Sequence, residues 1–172
     1  LCALPFFCII YICLAPFYFF MDRGPLFYSG KRLGRYGKPF PMHKFRSMKV
    51  NAPDIRLKDG STYNGDDDPR VTKLGKFIRK TSLDEIPQIL NVLKGDMSLI
   101  GPRPLLPEYL PYYNEHHIRR HEVRPGITGL AQTQGRNTLT FGQRFDLDVQ
   151  YVDSISFVND IKLLYKTFLK VI

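Results

Sequence analysis

Two adjacent carboxylates, Asp84 and Glu85, are the side chains in this sequence best suited to chemistry. Arg79 precedes them and Arg103 follows them, so cations flank the pair along the chain. A carboxylate surrounded by cations is ionised at neutral pH and can attack phosphorus, while arginines bind phosphate oxygens through paired hydrogen bonds. Glu85 could hold Mg²⁺, which prefers few carboxylates together with phosphate oxygens and water. The pattern indicates nucleophilic chemistry at a phosphate group.

The same two carboxylates also have a purely structural interpretation. The run from Ser82 to Glu85 matches a capping box, in which Ser82 caps a helix and Glu85 occupies the third helical position. Carboxylates in a first turn are also favoured by the helix dipole. An apolar stripe predicts a helix from Ser82 to Lys94, with Gly95 at its end, although Pro87 predicts a bend or an irregular first turn.

Two other groups of side chains could bind a metal ion. The acidic run Asp66 to Asp68 could hold a metal on a diphosphate, as Asp-x-Asp does in another class of nucleotide-sugar transferases, although such runs are common in solvated loops. His117 and His121 have the four-residue spacing of zinc ligands on a helix, but cations flank them and the Glu of metalloproteases is absent. The sequence has no P-loop and no serine or cysteine nucleophile motif.

Composition restricts the class of protein. With 172 residues, of which 44% are hydrophobic, the chain can form one packed domain or one domain plus an appendage, and wholesale disorder is excluded. The net charge of +9 favours a polyanionic partner, which is nucleic acid, anionic lipid or a phosphorylated substrate. All three cysteines lie in the first thirteen residues, which excludes a disulfide framework or a cysteine zinc site elsewhere.

The N-terminal segment is apolar. Residues 1–20 carry no charge, and only Pro5 and Pro16 interrupt the apolar side chains. About 20 apolar residues span a bilayer, so a kinked transmembrane helix and a re-entrant helix that returns on the same face both remain open. Residues 23–49 contain eight basic and no acidic residues, which predicts the cytoplasmic side and attraction to anionic headgroups. Because the sequence begins at Leu1 without Met, we expect it to be a fragment.

Short β-prone runs between glycines and prolines predict a small hairpin within residues 24–45, and Asp and Gly residues predict an acidic loop over residues 51–70. Proline and glycine also predict that the segment from Pro125 to Gly129 is a loop. Helices are predicted over Lys73 to Lys80, Tyr112 to Glu122, Phe145 to Val152, and Phe157 to Ile172.

Seven ordered motifs cover nearly the whole chain. They resemble those of the bacterial sugar transferases, the monotopic phosphoglycosyl transferases. That family moves a phosphosugar from a UDP-sugar to polyprenyl (undecaprenyl) phosphate and releases UMP, at the cytoplasmic face of the bacterial inner membrane, as the first membrane step of glycoconjugate assembly. The motifs run from Asp22 to Tyr28, Arg32 to Phe40, Lys44 to Met48, Asp68 to Thr72, Arg79 to Gln88, Asn91 to Pro104, and Arg124 to Gln132.

The resemblance implies a fold and two domains. We expect an α+β fold, mostly helical, with a small β-hairpin and interfacial amphipathic helices. Residues 1–22 would form the membrane-inserted, re-entrant helix, and residues 23–172 the catalytic domain at the cytoplasmic face. Pro5 would bend the helix, although Leu4 stands where the family usually has Ser, whose hydroxyl can help such a bend.

The resemblance also implies residue roles. Asp84 would be the nucleophile of a ping-pong reaction through a covalent aspartyl-phosphosugar, and Glu85 would be the Mg²⁺ ligand. The implied partners are a UDP-sugar, polyprenyl phosphate and anionic membrane lipid, with no nucleic acid. No residue set in the sequence is diagnostic of a particular sugar. The implied phosphate or uridine-phosphate contacts are Lys44, Arg79, Arg103 and Arg136, with Asp160 as a weaker candidate.

Two rival functions remain open. A metal-dependent glycosyltransferase using Asp66 to Asp68 would transfer the sugar alone and release UDP instead of UMP. A non-enzymatic basic module would bind nucleic acid or anionic lipid with strong salt dependence and without turnover. The sequence has neither a nucleic-acid reading helix nor an RNA-binding motif. The nucleotide product discriminates between the two enzymatic alternatives. UMP indicates transfer of the phosphosugar, and UDP indicates transfer of the sugar alone.

Overall fold

The computed structural model describes residues 3–56, 63, 65, 67–135 and 139–171. About half of the chain is helical and the strands form two small two-stranded sheets, so the fold is mixed α and β. Between the regular elements lie 3₁₀ segments at Leu83–Glu85, Pro107–Tyr112 and His117–His121, and a π-helical turn at Tyr18–Asp22. The helices and strands are α1 (Ala3–Phe17), β1 (Phe27–Leu33), β2 (Pro39–Phe45), α2 (Lys73–Lys80), α3 (Gln88–Lys94), β3 (Ser98–Ile100), β4 (Gly126–Thr128), α4 (Leu130–Gln134), α5 (Phe141–Asp153) and α6 (Phe157–Val171).

The chain divides into two compact units. The first unit combines Leu1–Tyr28 with His43–Ile89, and the second combines Ser29–Met42 with Leu90–Ile172. Each unit has its own buried apolar side chains. Those of the first unit are Ile10, Leu14, Tyr18, Phe45 and Ile78. Those of the second unit form two clusters, Phe40, Met42 and Met97 in one and Ile100, Tyr151 and Leu163 in the other.

Helix α1 has one packed face and one exposed apolar face. Ile10 and Leu14 are buried in the core of the first unit, whereas Ile9 is 59% and Ile12 67% exposed. Fifteen helical residues extend about 22 Å. Within the described part of the chain, no helix is both long and apolar enough to cross a membrane. The division of the chain after residue 22 and the interfacial helices stay predictions.

The predicted hairpin is confirmed. Strands β1 and β2 pair in one sheet, and the short connection closes with a hydrogen bond from the Gly34 N–H to the Lys38 carbonyl, 2.8 Å long. Tyr36 and Gly37 both have positive φ, 57° and 70°. Glycine meets that requirement at little cost, which explains its place in this turn.

Helix α2 is confirmed with the predicted bounds. The Thr72 side chain caps it by accepting a hydrogen bond from the Gly75 N–H at 2.9 Å. A Cβ atom on Gly75 would lie 1.9 Å from the Ser47 carbonyl oxygen, so only glycine allows this close approach of the two backbones. The helix is thereby held against the segment that follows β2.

The predicted helix from Ser82 to Lys94 is wrong in its first half. The structure has a 3₁₀ turn at Leu83–Glu85, and α3 begins only at Gln88, after the irregular stretch that Pro87 predicted. The predicted capping box is also wrong. The Ser82 backbone is in the left-handed helical conformation, with φ 56° and ψ 15°, and its side chain makes no capping hydrogen bond. An N-cap residue needs extended backbone angles. Gly95, with φ 90°, follows the end of α3 as predicted.

A parallel pair of strands replaces the predicted loop after Pro125. β3 and β4 pair in register from Ser98 with Gly126 to Ile100 with Thr128. The backbones approach so closely that a Cβ atom on Gly126 would lie 2.1 Å from the Gly101 amide nitrogen. Strands of three residues are too short to show alternation in the sequence, so the prediction of a loop was wrong here.

The predicted helix from Tyr112 to Glu122 is wrong: the range contains a 3₁₀ segment at His117–His121, and Tyr112 is the last residue of the preceding one. The Asn114 side chain accepts a hydrogen bond from the His117 N–H at 2.7 Å and so competes with a continuous helix. Helices α5 and α6 are confirmed. α5 begins earlier than predicted, because Thr140 and Gln143 form a complete capping box. Ile172, at the predicted end of α6, lies outside the described residues.

A buried ion pair joins the segment His117–His121 to α5. The Arg120 Nε and Nη2 atoms donate to Asp148 Oδ2 at 3.0 and 2.7 Å. Arg120 also donates to the Tyr113 hydroxyl at 2.7 Å and to the Arg103 carbonyl at 2.8 Å. Arg120 is 3% and Asp148 2% exposed, and burial raises the pKa of Asp148 above its ordinary value although Arg120 opposes that shift.

Candidate active site

Lys44, Asp84 and Glu85 form the centre of the candidate site, within the first unit. Lys44 lies near the end of β2, and the two carboxylates lie in the 3₁₀ turn Leu83–Glu85. The Lys44 Nζ atom lies 2.8 Å from Glu85 Oε1 and 3.7 Å from Asp84 Oδ2. The three side chains are 11–19% exposed, with Asp84 the least exposed. Two carboxylates therefore converge on one ammonium group at a largely desolvated position.

Arg79, in the last turn of α2, is the second cation of this site. Its Nε atom donates to the Ser47 hydroxyl at 2.8 Å, which fixes the guanidinium. Burial lowers the pKa of Arg79, while the charge of Asp84 acts in the opposite direction. Because a guanidinium stays protonated in proteins, Arg79 contributes a permanent positive charge that attracts Asp84.

The donor set fits a Mg²⁺ ion that brings further oxygen ligands with its substrate. Asp84 and Glu85 supply carboxylate oxygens around a position already occupied by a cationic group, the Lys44 ammonium. Mg²⁺ typically uses one or two carboxylates plus phosphate oxygens and water. Across the described ranges, no group of three or more His, Cys, Asp or Glu side chains is arranged to hold a metal ion alone.

The other predicted site residues lie in the second unit or outside the described residues. Arg103 and Asp160 belong to the second unit. The Arg103 carbonyl accepts from Arg120, and the Asp160 carboxylate accepts from the Tyr151 hydroxyl at 3.0 Å. Arg136 lies outside the described residues. The roles of these three residues stay predictions.

The Asp68 carboxylate forms a buried ion pair with Arg70. This contact weakens the hypothesis that the run Asp66 to Asp68 holds a metal ion. Its two carboxylate oxygens accept from Arg70 Nε at 2.9 Å and Nη2 at 2.7 Å, and these hydrogen bonds lower the pKa of Asp68. Asp68 is only 1% exposed. Arg70 also donates to the carbonyls of Pro53 and Tyr63, so the pair ties together the loop that the sequence predicted to be acidic. Asp66 lies outside the described residues.

The spacing of His117 and His121 does not produce a shared metal site. They lie on a 3₁₀ segment, where three residues make a turn, so a four-residue spacing does not place them on one face. His117 Nε2 lies 3.0 Å from Asp146 Oδ1, whereas His121 Nδ1 lies 3.2 Å from the Gly34 carbonyl. Burial, assisted by Arg120, lowers the pKa of His121 to about 4, so it is neutral near pH 7.

Comparison with known proteins decides the family. The family model described as bacterial sugar transferase matches residues 1–172. The chain belongs to the bacterial sugar transferase family. This result confirms the resemblance carried by the seven motifs.

Named relatives of this sugar transferase include proteins from three bacteria. The "Uncharacterized sugar transferase EpsL" of Bacillus subtilis is 53% identical over 148 residues, which is 86% of this chain and 70% of that protein. The "Undecaprenyl-phosphate galactose phosphotransferase" of Salmonella typhimurium is 43% identical over 157 residues, 85% of this chain and 33% of that protein. The "UDP-glucose:undecaprenyl-phosphate glucose-1-phosphate transferase" of Escherichia coli is 43% identical over 155 residues, 86% of this chain and 32% of that protein. The chain thus spans about a third of the last two relatives.

In this sugar transferase, two contacts that position residues of the first unit were not predicted from the sequence. The Ser47 hydroxyl orients Arg79, and the Asp68–Arg70 pair anchors the preceding loop. Ser47 and Asp68 both lie inside motifs that carry the family resemblance, which is the only signal that the sequence offers for them. Ser47 contacts Arg79, and Asp68 contacts Arg70.

Proposed function

We propose that this sugar transferase moves a phosphosugar from a UDP-sugar to polyprenyl phosphate and releases UMP. The observation that carries the proposal is the convergence of Lys44 on Asp84 and Glu85 beside the guanidinium of Arg79. A largely buried carboxylate between two cations is suited to attack an electron-poor phosphorus whose oxygens those cations attract. The names of the Salmonella and Escherichia relatives describe sugar-phosphate transfer to undecaprenyl phosphate by those proteins.

The reaction has two displacements at one phosphorus. First, an Asp84 oxygen bonds to the phosphorus that carries the sugar, and the bond from that phosphorus to the oxygen bridging the two phosphates breaks. UMP leaves with the bridging oxygen and its electron pair. Second, a phosphate oxygen of polyprenyl phosphate attacks the same phosphorus, the bond to Asp84 breaks, and the carboxylate is regenerated. The product is a polyprenyl diphosphate-sugar.

The proposed role of Lys44 and Arg79 is to stabilise negative charge and not to transfer protons. Lys44 and Arg79 attract the phosphoryl oxygens as negative charge develops on them, in a site where limited exposure reduces screening. Glu85 would hold Mg²⁺ together with diphosphate oxygens. When bound, Mg²⁺ supplies charge neutralisation at the departing phosphate. Arg103, Arg136 and Asp160 would contribute further contacts to the UDP-sugar.

The proposed location is the cytoplasmic face of the bacterial inner membrane. The exposed apolar side chains of α1, among them Ile9 and Ile12, suit a lipid environment, and the basic residues that follow suit anionic headgroups. Pro5, in the first turn of α1, would bend a re-entrant anchor. Phe157, 81% exposed, and Phe168, 62% exposed, give α6 the character of an interfacial helix.

The nucleotide product tests the proposed transfer. The purified protein, in detergent, is incubated with a panel of UDP-sugars, with and without polyprenyl phosphate. We expect UMP, and with UDP-sugar alone a single burst of about one UMP per enzyme, because the first displacement needs no acceptor. Release of UDP would refute phosphosugar transfer and support a glycosyltransferase. Absence of both nucleotides with every sugar of the panel would support the non-enzymatic basic module.

A metal requirement is the second expected result. Because Glu85 lies beside the proposed nucleophile, we expect excess EDTA to stop turnover, Mg²⁺ to restore it, and a zinc-selective chelator to have no effect. Glu85→Gln should raise the Mg²⁺ concentration for half-maximal activity by about tenfold or more. Glu115→Gln, at an exposed position of the second unit, is the matched control and should not change it. Full activity in EDTA would rule out the metal role of Glu85.

A further inference from the structure

An open cleft in the first unit has a strongly basic lining. Its volume is about 610 Å³, and Arg23, Lys49, Lys73 and Lys76 contribute its charged side chains. Its remaining lining residues, Thr72 among them, are uncharged. The proposed chemistry uses none of these side chains. The lining of the cleft thus shares no residue with the candidate active site.

The four basic side chains form a concentration of positive charge without a described counter-charge. In the parts of the chain that the structure describes, no ion pair joins Arg23, Lys49, Lys73 or Lys76 to a carboxylate. Like charges around one cleft repel each other, and a bound anion relieves that repulsion. Lys73 is the first residue of α2, so the positive end of the helix dipole adds to the same potential. The chemistry of the cleft matches a phosphate group.

The neighbouring chain indicates what carries that phosphate. Arg23 follows directly on the π-helical turn Tyr18–Asp22 at the end of the apolar segment. Phe19 and Phe20 in that turn are 74% and 73% exposed. A basic cleft reached directly after exposed aromatic side chains suits an amphiphile, because acyl or prenyl chains contact the apolar residues while the headgroup meets the cations. A free phosphate would contact only the cations of the cleft and not the exposed aromatic side chains.

We propose that the cleft binds the phosphate headgroup of a membrane lipid. The proposal rests on the membrane location given above and is independent of the covalent step at Asp84. It assigns headgroup binding to one cleft instead of to the basic segment 23–49 as a whole. The same phosphate chemistry has two sources in a membrane, which are a bulk anionic phospholipid and the polyprenyl phosphate acceptor.

The test compares two lysines on one helix. Lys76 lines the cleft and Lys80, one turn later on α2, does not, so Lys76→Gln and Lys80→Gln remove the same charge from the same helix. Binding of the full chain is measured on vesicles of phosphatidylcholine alone and with added phosphatidylglycerol. For a phospholipid headgroup, we expect Lys76→Gln to weaken the phosphatidylglycerol-dependent affinity about fivefold, and Lys80→Gln to retain it. Lys73→Gln combined with Lys76→Gln should weaken it further, by roughly 30-fold in total.

A kinetic measurement tests whether the phosphate bound in the cleft belongs to the polyprenyl phosphate acceptor. If the cleft holds polyprenyl phosphate, Lys76→Gln raises the KM for that acceptor while the burst of UMP with UDP-sugar alone stays unchanged. The proposal is overturned if the two variants lose equal affinity, which indicates diffuse attraction, or if neither the affinity nor the KM changes in Lys76→Gln. A wild-type protein that binds neither vesicle would overturn both this proposal and the membrane location. A missing UMP burst alongside intact headgroup binding would contradict only the proposed transfer.

Discussion

Replacing Asp84 with asparagine should lower turnover by roughly 10⁴- to 10⁶-fold, the range typical for loss of a covalent nucleophile. The substitution keeps the size of the side chain and removes its charge. Lys44 keeps an anionic partner, because Glu85 Oε1 is the nearer carboxylate at 2.8 Å, against 3.7 Å for Asp84. The variant should therefore fold and bind UDP-sugar, yet it should form no adduct. Intact-protein mass spectrometry after incubation with UDP-sugar should show one added phosphosugar for the wild type only. Peptide mapping should place it on the peptide that carries Asp84.

Asp54→Asn is the matched control for this experiment. It makes the same chemical change in the same unit, at an exposed carboxylate that is ion-paired with Arg56. Exposed pairs contribute less than about 1 kcal/mol, so both activity and stability should stay near wild type. A folded Asp84→Asn protein with near-normal turnover would refute the covalent role. An adduct on a different peptide would show that another residue is the nucleophile.

Arg120→Met should lower the free energy of unfolding by about 3–5 kcal/mol, because it leaves Asp148 buried without its partner. Asp148 is already disfavoured as an anion, since burial raises its pKa. Without Arg120 that pKa rises further, so the folded state takes up a proton that the unfolded state binds only at lower pH. The contribution of Asp148 to stability then falls as pH increases, so the loss relative to the wild type should be smaller at pH 5 than at pH 8. Denaturant unfolding in detergent at both pH values measures the difference.

Two further variants separate the buried charge from the loss of packing. Arg120→Met combined with Asp148→Leu removes both charges and should be more stable than Arg120→Met alone, because no unpaired carboxylate remains. Arg119→Met applies the same substitution to the neighbouring arginine, whose contacts with Glu122 and Asp153 are exposed, and should cost less than about 1 kcal/mol. A double variant no more stable than Arg120→Met would show that the loss comes from packing and not from an unpaired buried carboxylate.

The sequence predicted the elements whose patterns are local. The hairpin follows from its glycines and prolines, and α2, α5 and α6 follow from their spacing of apolar and charged residues. β3 and β4 were missed because their stability comes from a pairing between distant segments, at glycines such as Gly126 where no side chain intervenes. The capping box failed because the Ser82 backbone is in a left-handed conformation that its sequence does not signal.

The candidate site was predictable in its residue types and not in its geometry. Asp84 and Glu85 attract attention as neighbours in sequence, whereas the role of Lys44 came only from the family resemblance. Nothing local connects Lys44 to residues on a turn that follows α2, and only the packing of β2 brings its ammonium to both carboxylates. The structural role of Asp68 was hidden for the same reason, since an acidic run gives no indication that one member is buried against Arg70.

The division of the chain into two units also has a consequence for synthesis on the ribosome. The contacts described for the carboxylate pair, with Lys44 and Arg79, and the anchors Ser47 and Asp68–Arg70 all lie within the first 89 residues of this sequence. Translation proceeds from the N-terminus, and compact units tend to fold as they emerge. The nascent chain thus carries every one of those partners before most of the second unit has been translated. The apolar helix that would meet the membrane emerges earlier still.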